Sequence, residues 1–146
     1  MVEHCRYHRW SLWELCRKQA DGGTVGVPVF GSGYGLSIPE GHNPLGLEVG
    51  FWAYYASAAG GVGHLSVSLA NNGALIGTSK PQALTTMPTF YSLGNGTDKG
   101  GENLNLLRGL IQSSTFGAGI TPSATGTSGA EVDIYISTLP ITLFTI

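Results

Sequence analysis

Apolar residues alternate with small or polar ones over most of this chain, in short runs separated by glycine-rich breaks. Leu45, Leu47, Val49 and Phe51 alternate with Gly46, Glu48 and Gly50, and the run continues through Tyr54 and Tyr55. A period of two sends one set of side chains to a buried face and the other to solvent, the signature of a half-buried strand. Leu65, Val67 and Leu69 alternate with Ser66 and Ser68 in the same way, and Val132, Ile134 and Ile136 with Glu131, Asp133, Tyr135 and Ser137. Asn72-Gly73 separates the Leu65 run from Ala74–Thr78. Both residues accept the positive φ of a type I′ turn, so the pair predicts a hairpin. Further strands are predicted at Val25–Phe30, where Pro28 marks a sheet edge, at Met87–Ser92, at Thr115–Ile120 and at Leu139–Ile146, with a break near Pro140. Leu104–Ile111 fits either a helical turn or a buried strand broken by Gly109, and the Gly/Ser/Thr cluster at 117–130 predicts an exposed, mobile loop. About eight short strands, without strand–helix–strand alternation, predict an all-β fold: an antiparallel, jelly-roll-like β-sandwich over residues 23–146.

The first twenty residues follow another rule. Leu12, Trp13, Leu15 and Cys16 form an apolar stripe at helical spacing, uninterrupted by glycine or proline. This predicts an amphipathic helix over 2–19 and, with the joint at Asp21-Gly22-Gly23, a separate N-terminal arm over residues 1–22. On one unbroken helix Cys5 and Cys16 stand roughly 16 Å apart along the axis. That exceeds the reach of a disulfide, about 7 Å between Cα atoms, so both are expected as free thiols.

Composition sharpens this picture. Glycine supplies 23 of 146 residues and charged side chains only 11%, which suits turns and strands and disfavours long helices. Residues 1–20 carry a net charge of +2 and residues 21–146 a net charge of −4, so the arm and the domain differ in sign. With −2 overall there is no basic surplus of the kind that nucleic-acid binding needs. Glu14, Arg17 and Lys18 interrupt any signal-peptide core. The uncharged stretch 49–79 alternates instead of running continuously apolar, which argues against a membrane span. The expectation is a protein made in a cytosol and not inserted in a membrane.

Candidate chemistry is sparse. Gly31-Ser32-Gly33-Tyr34-Gly35 has no helix after it and reads as a turn, not a phosphate cradle. His4 and His8 share a helical face beside Cys5, but no second ligand pair completes a metal site. His64 has no nucleophile and orienting carboxylate beside it, and reads as a hydrogen-bonded or surface histidine. Glu131 and Asp133 lie two apart on one strand face, a solvated position and not two carboxylates opposed across a cleft. Asp98 with Glu102 offers too few acids for a typical calcium loop. Asn95-Gly96-Thr97 matches a glycosylation sequon and reads as a turn. No catalytic residue, cofactor or metal is expected.

Binding rests on aromatic residues. Phe51, Ala53 and Tyr55 share one strand face, Trp52 and Tyr54 the other, so one set belongs to the core and the other to an interface or a sugar-stacking platform. With so few charges to keep copies apart, self-association is expected, a trimer being the favoured state. The expected interface residues are Trp10, Leu12, Trp13 and Cys16 on the arm, and Trp52 and Tyr54 on the sandwich.

Ser92-Leu93-Gly94-Asn95-Gly96-Thr97-Asp98, then Ser114-Thr115-Phe116-Gly117, then a Gly/Ser/Thr loop and Val132-Asp133-Ile134-Tyr135-Ile136, resemble β-sandwich domains in structural proteins of tailed bacteriophages. The resemblance covers roughly residues 47–146. In those domains the first segment usually continues as Asp-x-Trp-Gly, whereas here it reads Asp98-Lys99-Gly100-Gly101. The resemblance implies a non-enzymatic virion protein, in capsid decoration, the collar or a tail fibre, with other virion proteins as partners. Residues 1–20 would then dock the sandwich onto a neighbour. The alternative is a carbohydrate-binding module that recognises a host-surface glycan through Trp52, Tyr54 or nearby loops.

Overall fold

A computed structural model describes residues 28–101, 108–126, 129–137 and 141–146, together with the backbone of 4–7 and 13–20. Two antiparallel sheets face each other. The strands of the first are β1 (His4–Tyr7), β2 (Trp13–Ala20), β4 (Pro44–Ala56), β7 (Thr89–Gly94), β9 (Ala130–Ser137) and β10 (Ile141–Thr145). Those of the second are β3 (Val29–Ser32), β5 (Gly61–Asn71), β6 (Ala74–Ala83) and β8 (Phe116–Gly126), in the order β3-β8-β5-β6. A single helical turn, α1 (Arg108–Ile111), precedes β8. The antiparallel β-sandwich expected from the alternation is what forms.

In the first sheet β4 is the axis. β7 pairs with it over Glu48–Ala53, β9 over Trp52–Ala56 and β10 over Pro44–Val49. Phe51, Ala53, Val132 and Ile134 point inward and are buried, as are Leu65, Phe116, Ala118 and Ile120 on the opposing sheet. The alternation read along each run thus becomes one two-sided core, the arrangement that lets two half-apolar sheets hide both inner faces.

The hairpin expected at Asn72-Gly73 joins β5 to β6, with φ of 52° at Asn72 and 74° at Gly73. Of the strand expected at Val25–Phe30, residues 25–27 lie outside the described residues and Pro28 precedes the strand that forms, β3 over Val29–Ser32, at the margin of the second sheet. β3 can pair closely only because its partner lacks a side chain: a Cβ on Gly117 would overlap the carbonyl oxygen of Gly31. Gly117→Ala is therefore expected to push β3 off β8 at a cost of about 1–3 kcal/mol. Hydrogen exchange should show faster exchange confined to Val29–Ser32 and its partners.

Two expectations need correction. Residues 4–7 and 13–20 are strands, not the expected helical arm. β2 forms eight register pairs with β9, from Trp13↔Ser137 to Ala20↔Ala130. Ladder partners of that length outweigh the small difference between helix and strand propensity. The residues that gave a helical stripe also alternate, with Trp13 and Leu15 on one face and Cys16 on the other. The 16 Å separation of the cysteines disappears with the helix, since Cys5 and Cys16 are direct register partners. The loop expected over 117–130 is also largely strand: β8 pairs with β5 from Phe116 to Gly126. Phe116, Ala118, Ile120 and Pro122 fill the core and alternate with Gly117, Gly119, Thr121 and Ser123, so composition concealed a period of two. The joint expected at Asp21-Gly22-Gly23 lies outside the described residues.

A clasp closes the edge of the sandwich where β6 and β7 face each other. The Leu47 amide donates to the Asp98 carbonyl at 2.8 Å, and the Thr78 amide to the Gly100 carbonyl at 2.7 Å. Segment 95–101 thereby bridges the two sheets, and Lys80 on β6 pairs with the Asp98 carboxylate. The Lys80 hydrogen bond, opposed by partial burial and aided by the Gly100 amide, holds the Asp98 carboxyl below its usual range. A carboxylate with a lowered folded-state pKa adds stability that is complete above its unfolded-state pKa and is lost as pH falls from there through the lower folded-state value. Lys80 is more than a third exposed (37%), so solvent screening limits the pair to about 1 kcal/mol at most. Asp98→Asn should lose that amount at neutral pH and progressively less as pH falls below the ordinary carboxylate range, as read by urea unfolding across an acid pH series.

Candidate functional site

The outer face of the first sheet carries the aromatic residues that the core does not use. β4 sends Phe51 and Ala53 inward, which forces Trp52 and Tyr54 outward. Register supplies their neighbours. Trp52 faces Phe90 on β7, and Tyr54 faces Tyr135 on β9. Trp52 and Phe90 meet edge to face, with centroids 5.6 Å apart and planes at 60°, the geometry that ring quadrupoles favour. Tyr54 and Tyr135 stack nearly parallel at 4.6 Å and 8°. Trp52 remains 44% exposed and Phe90 49%, although each already covers part of the other. Two aromatic pairs thus stand in adjacent rows on one solvent face.

The rows extend along the ladder. Phe90, Trp52, Ser137 and Trp13 occupy successive register positions on β7, β4, β9 and β2. That is three interstrand steps, about 14 Å. The next row runs Tyr54, Tyr135, Leu15, and the one beyond it Ala56, Asp133, Arg17. Ser92, exposed and paired with Gly50, lies beyond Phe90 on the same face. A surface of ring faces bordered by hydroxyl and charged positions binds flat, partly apolar and partly polar ligands, because ring faces take up C–H surface while the border supplies hydrogen bonds.

The outer face of the second sheet is different. His64 Nε2 lies 2.8 Å from Thr125 Oγ1, and Ser68 Oγ lies 2.6 Å from Ser79 Oγ. His64 is thus the hydrogen-bonded histidine expected of it. Tyr34, over the glycine margin of this face, has its phenol pushed up to about 12 by burial and stays neutral. A pocket at the β6/β7 edge is lined by core residues such as Leu47, Val67 and Leu93, with Lys80 and Asp98 among the polar lining. Those two satisfy each other. Arg108 is equally occupied, its guanidinium donating to the carbonyls of Ile38, Pro39 and His42. It anchors the 36–43 segment to α1, with Gln112 Oε1 accepting the Ile38 amide at 2.8 Å.

Among the described residues, no three His, Cys, Asp or Glu side chains cluster as a metal site would require. No described helix is long and apolar enough to cross a membrane. Glu131 is exposed and Asp133 half-buried, on the outer face with Tyr135. Asp98 is engaged by Lys80, and Glu102 lies outside the described residues.

Of the interface residues expected from the sequence, Trp52 and Tyr54 share the aromatic face. Trp13 takes the next register position but one from Trp52, on the same face, whereas Cys16 pairs with Ile134 and belongs to the opposite face. Trp10 and Leu12 lie outside the described residues. Phe90 and Tyr135 complete the site and were not anticipated. The signal for each was present, since both stand at the outward position of an alternating run, but only register places them beside Trp52 and Tyr54.

The sequence matches no protein-family model and no curated protein. The fold is similar to that of a solved structure described as "CBM4 structure and function", a carbohydrate-binding module, with a TM-score of 0.51 and 15% sequence identity over 93% of this chain and 87% of the other. At that identity the likeness concerns the β-sandwich architecture, shared across nearly the whole of both chains.

Proposed function

We propose that the protein is a non-catalytic glycan-binding β-sandwich module whose ligand lies on the aromatic face of the first sheet. The observation that carries this reading is the pairing of Trp52 with Phe90 and of Tyr54 with Tyr135 in adjacent rows of a solvent-exposed face. Pyranose rings offer a C–H face to stack on such a platform and hydroxyls to its border. Ser92, exposed beyond Phe90, occupies a border position suited to the hydroxyls. The sandwich shared with a carbohydrate-binding module supports the same reading at the level of architecture.

The test is a glycan array probed with the labelled full-length chain, followed by calorimetric titration of the best binder. Saturable binding, competed by free sugar, is expected. Uniform background across glycans of varied linkage and charge would overturn the proposal.

A second reading draws on the same patch. Two large exposed aromatic side chains on a chain with 11% charged residues also favour contact between copies or with neighbouring proteins. Together with the resemblance to phage β-sandwich domains, this supports a virion structural role, as an oligomer carried on the particle. Light scattering coupled to size exclusion separates the readings. A stable oligomer that dissociates on Trp52→Ala, with no glycan bound, favours assembly; a monomer that binds sugar favours the module.

A further inference from the structure

We infer that Cys5 and Cys16 form an intramolecular cross-strand disulfide that fastens β1 to β2. The inference rests on the register, which pairs His4 with Arg17, Cys5 with Cys16, Arg6 with Leu15 and Tyr7 with Glu14. Directly opposed residues in an antiparallel ladder have Cα atoms about 4.5–5.5 Å apart, whichever hydrogen-bonding class they occupy. That interval falls inside the range disulfides adopt, about 4.4–6.8 Å. Directly opposed residues of an antiparallel pair also share a sheet face. These are the chain's only two cysteines, so no competing intramolecular pairing exists.

The position gives the bond a role. β1 is the outermost strand of its sheet, reached only through β2 in the order β1-β2-β9-β4-β10. It has four residues, too few for an independent hairpin to hold in water. A bond between Cys5 and Cys16 closes the intervening loop covalently and removes conformational freedom from the unfolded chain. It also sets which strand edge the sheet presents to other chains.

The chemistry needs an oxidant, which a small-molecule disulfide such as oxidised glutathione supplies by exchange. The Cys5 thiolate attacks one sulfur of that disulfide, forming a mixed disulfide and expelling one glutathione thiolate. The Cys16 thiolate then attacks the Cys5 sulfur and expels the second. Two protein thiols are oxidised and give up two protons, while one glutathione disulfide is reduced to two thiolates that take those protons up. The order of attack by the two cysteines can be reversed without changing the balance.

The test uses the full-length chain, reduced and then equilibrated with equimolar reduced and oxidised glutathione. Intact mass should fall by two hydrogens, and neither thiol should react with iodoacetamide in the native protein. Trypsin should release residues 1–6 and 10–17 as one linked species. The bridged form should exceed the reduced form by at least about tenfold. Oxidation should raise the thermal midpoint of wild type by about 5–10 °C and leave that of Cys5→Ser/Cys16→Ser unchanged. Thiols that remain alkylatable after equilibration, glutathione adducts retained on either cysteine, or disulfides found only between chains would each overturn the inference. None of these readouts depends on the glycan proposal.

Discussion

The Trp52→Ala variant is expected to keep its fold and to bind glycan at least about thirty-fold more weakly, a loss of about 2 kcal/mol typical of a central aromatic contact. Trp52 leans on Phe90 and is 44% exposed, so truncation removes ligand-facing ring surface while disturbing little of the core. The unfolding free energy should change by less than about 1 kcal/mol. Phe90→Ala should show the same signature with a smaller affinity loss, because Trp52 keeps its own ring face. Titration calorimetry and urea unfolding on the same preparations read the two quantities independently. Unchanged affinity in Trp52→Ala would remove the aromatic face from the binding account.

One residue earlier the expectation inverts. Phe51→Ala should cost about 3–5 kcal/mol of stability, the usual price of emptying a buried aromatic site. Phe51 is fully buried at 0% exposure and packs against Tyr91 with ring centroids 5.6 Å apart. Tyr91 belongs to β7 and Phe51 to β4, so their contact locks the strand that presents Phe90. For a domain of this size the loss amounts to a fall of about 10–15 °C in the thermal midpoint. A calorimetric shift under about 3 °C would mean that the cavity collapses at little cost. The contrast between neighbouring positions is a direct consequence of strand alternation: adjacent side chains answer to different environments.

That alternation is also why so much of the architecture was legible. Leu45–Tyr55, Leu65–Leu69 and Val132–Ile136 state their faces in their own order, and Asn72-Gly73 states its turn. β8 was partly hidden because the small residues that alternate with its core positions look like loop. Residues 13–20 were misread because an eight-residue segment with Trp13, Leu15 and Cys16 satisfies both helical and strand spacing, and only the ladder with β9 decides between them. Half of the aromatic site was visible, since Trp52 and Tyr54 are neighbours in sequence. Phe90 and Tyr135 arrive from strands nearly forty and more than eighty residues away. No local pattern encodes which distant residue a strand position will meet.

The middle strands of both sheets come late in the chain: β8 lies between β3 and β5, and β9 between β2 and β4. Cys16 waits for Ile134 and Val29 for Ile120, which at ribosomal speed is a delay of roughly 5–20 s. Among the described strands, only the β1–β2 and β5–β6 hairpins can close soon after they are made. Nascent chains therefore emerge with Val49, Phe51 and their neighbours uncovered, and holdase chaperones or slower translation at low temperature should raise the soluble yield.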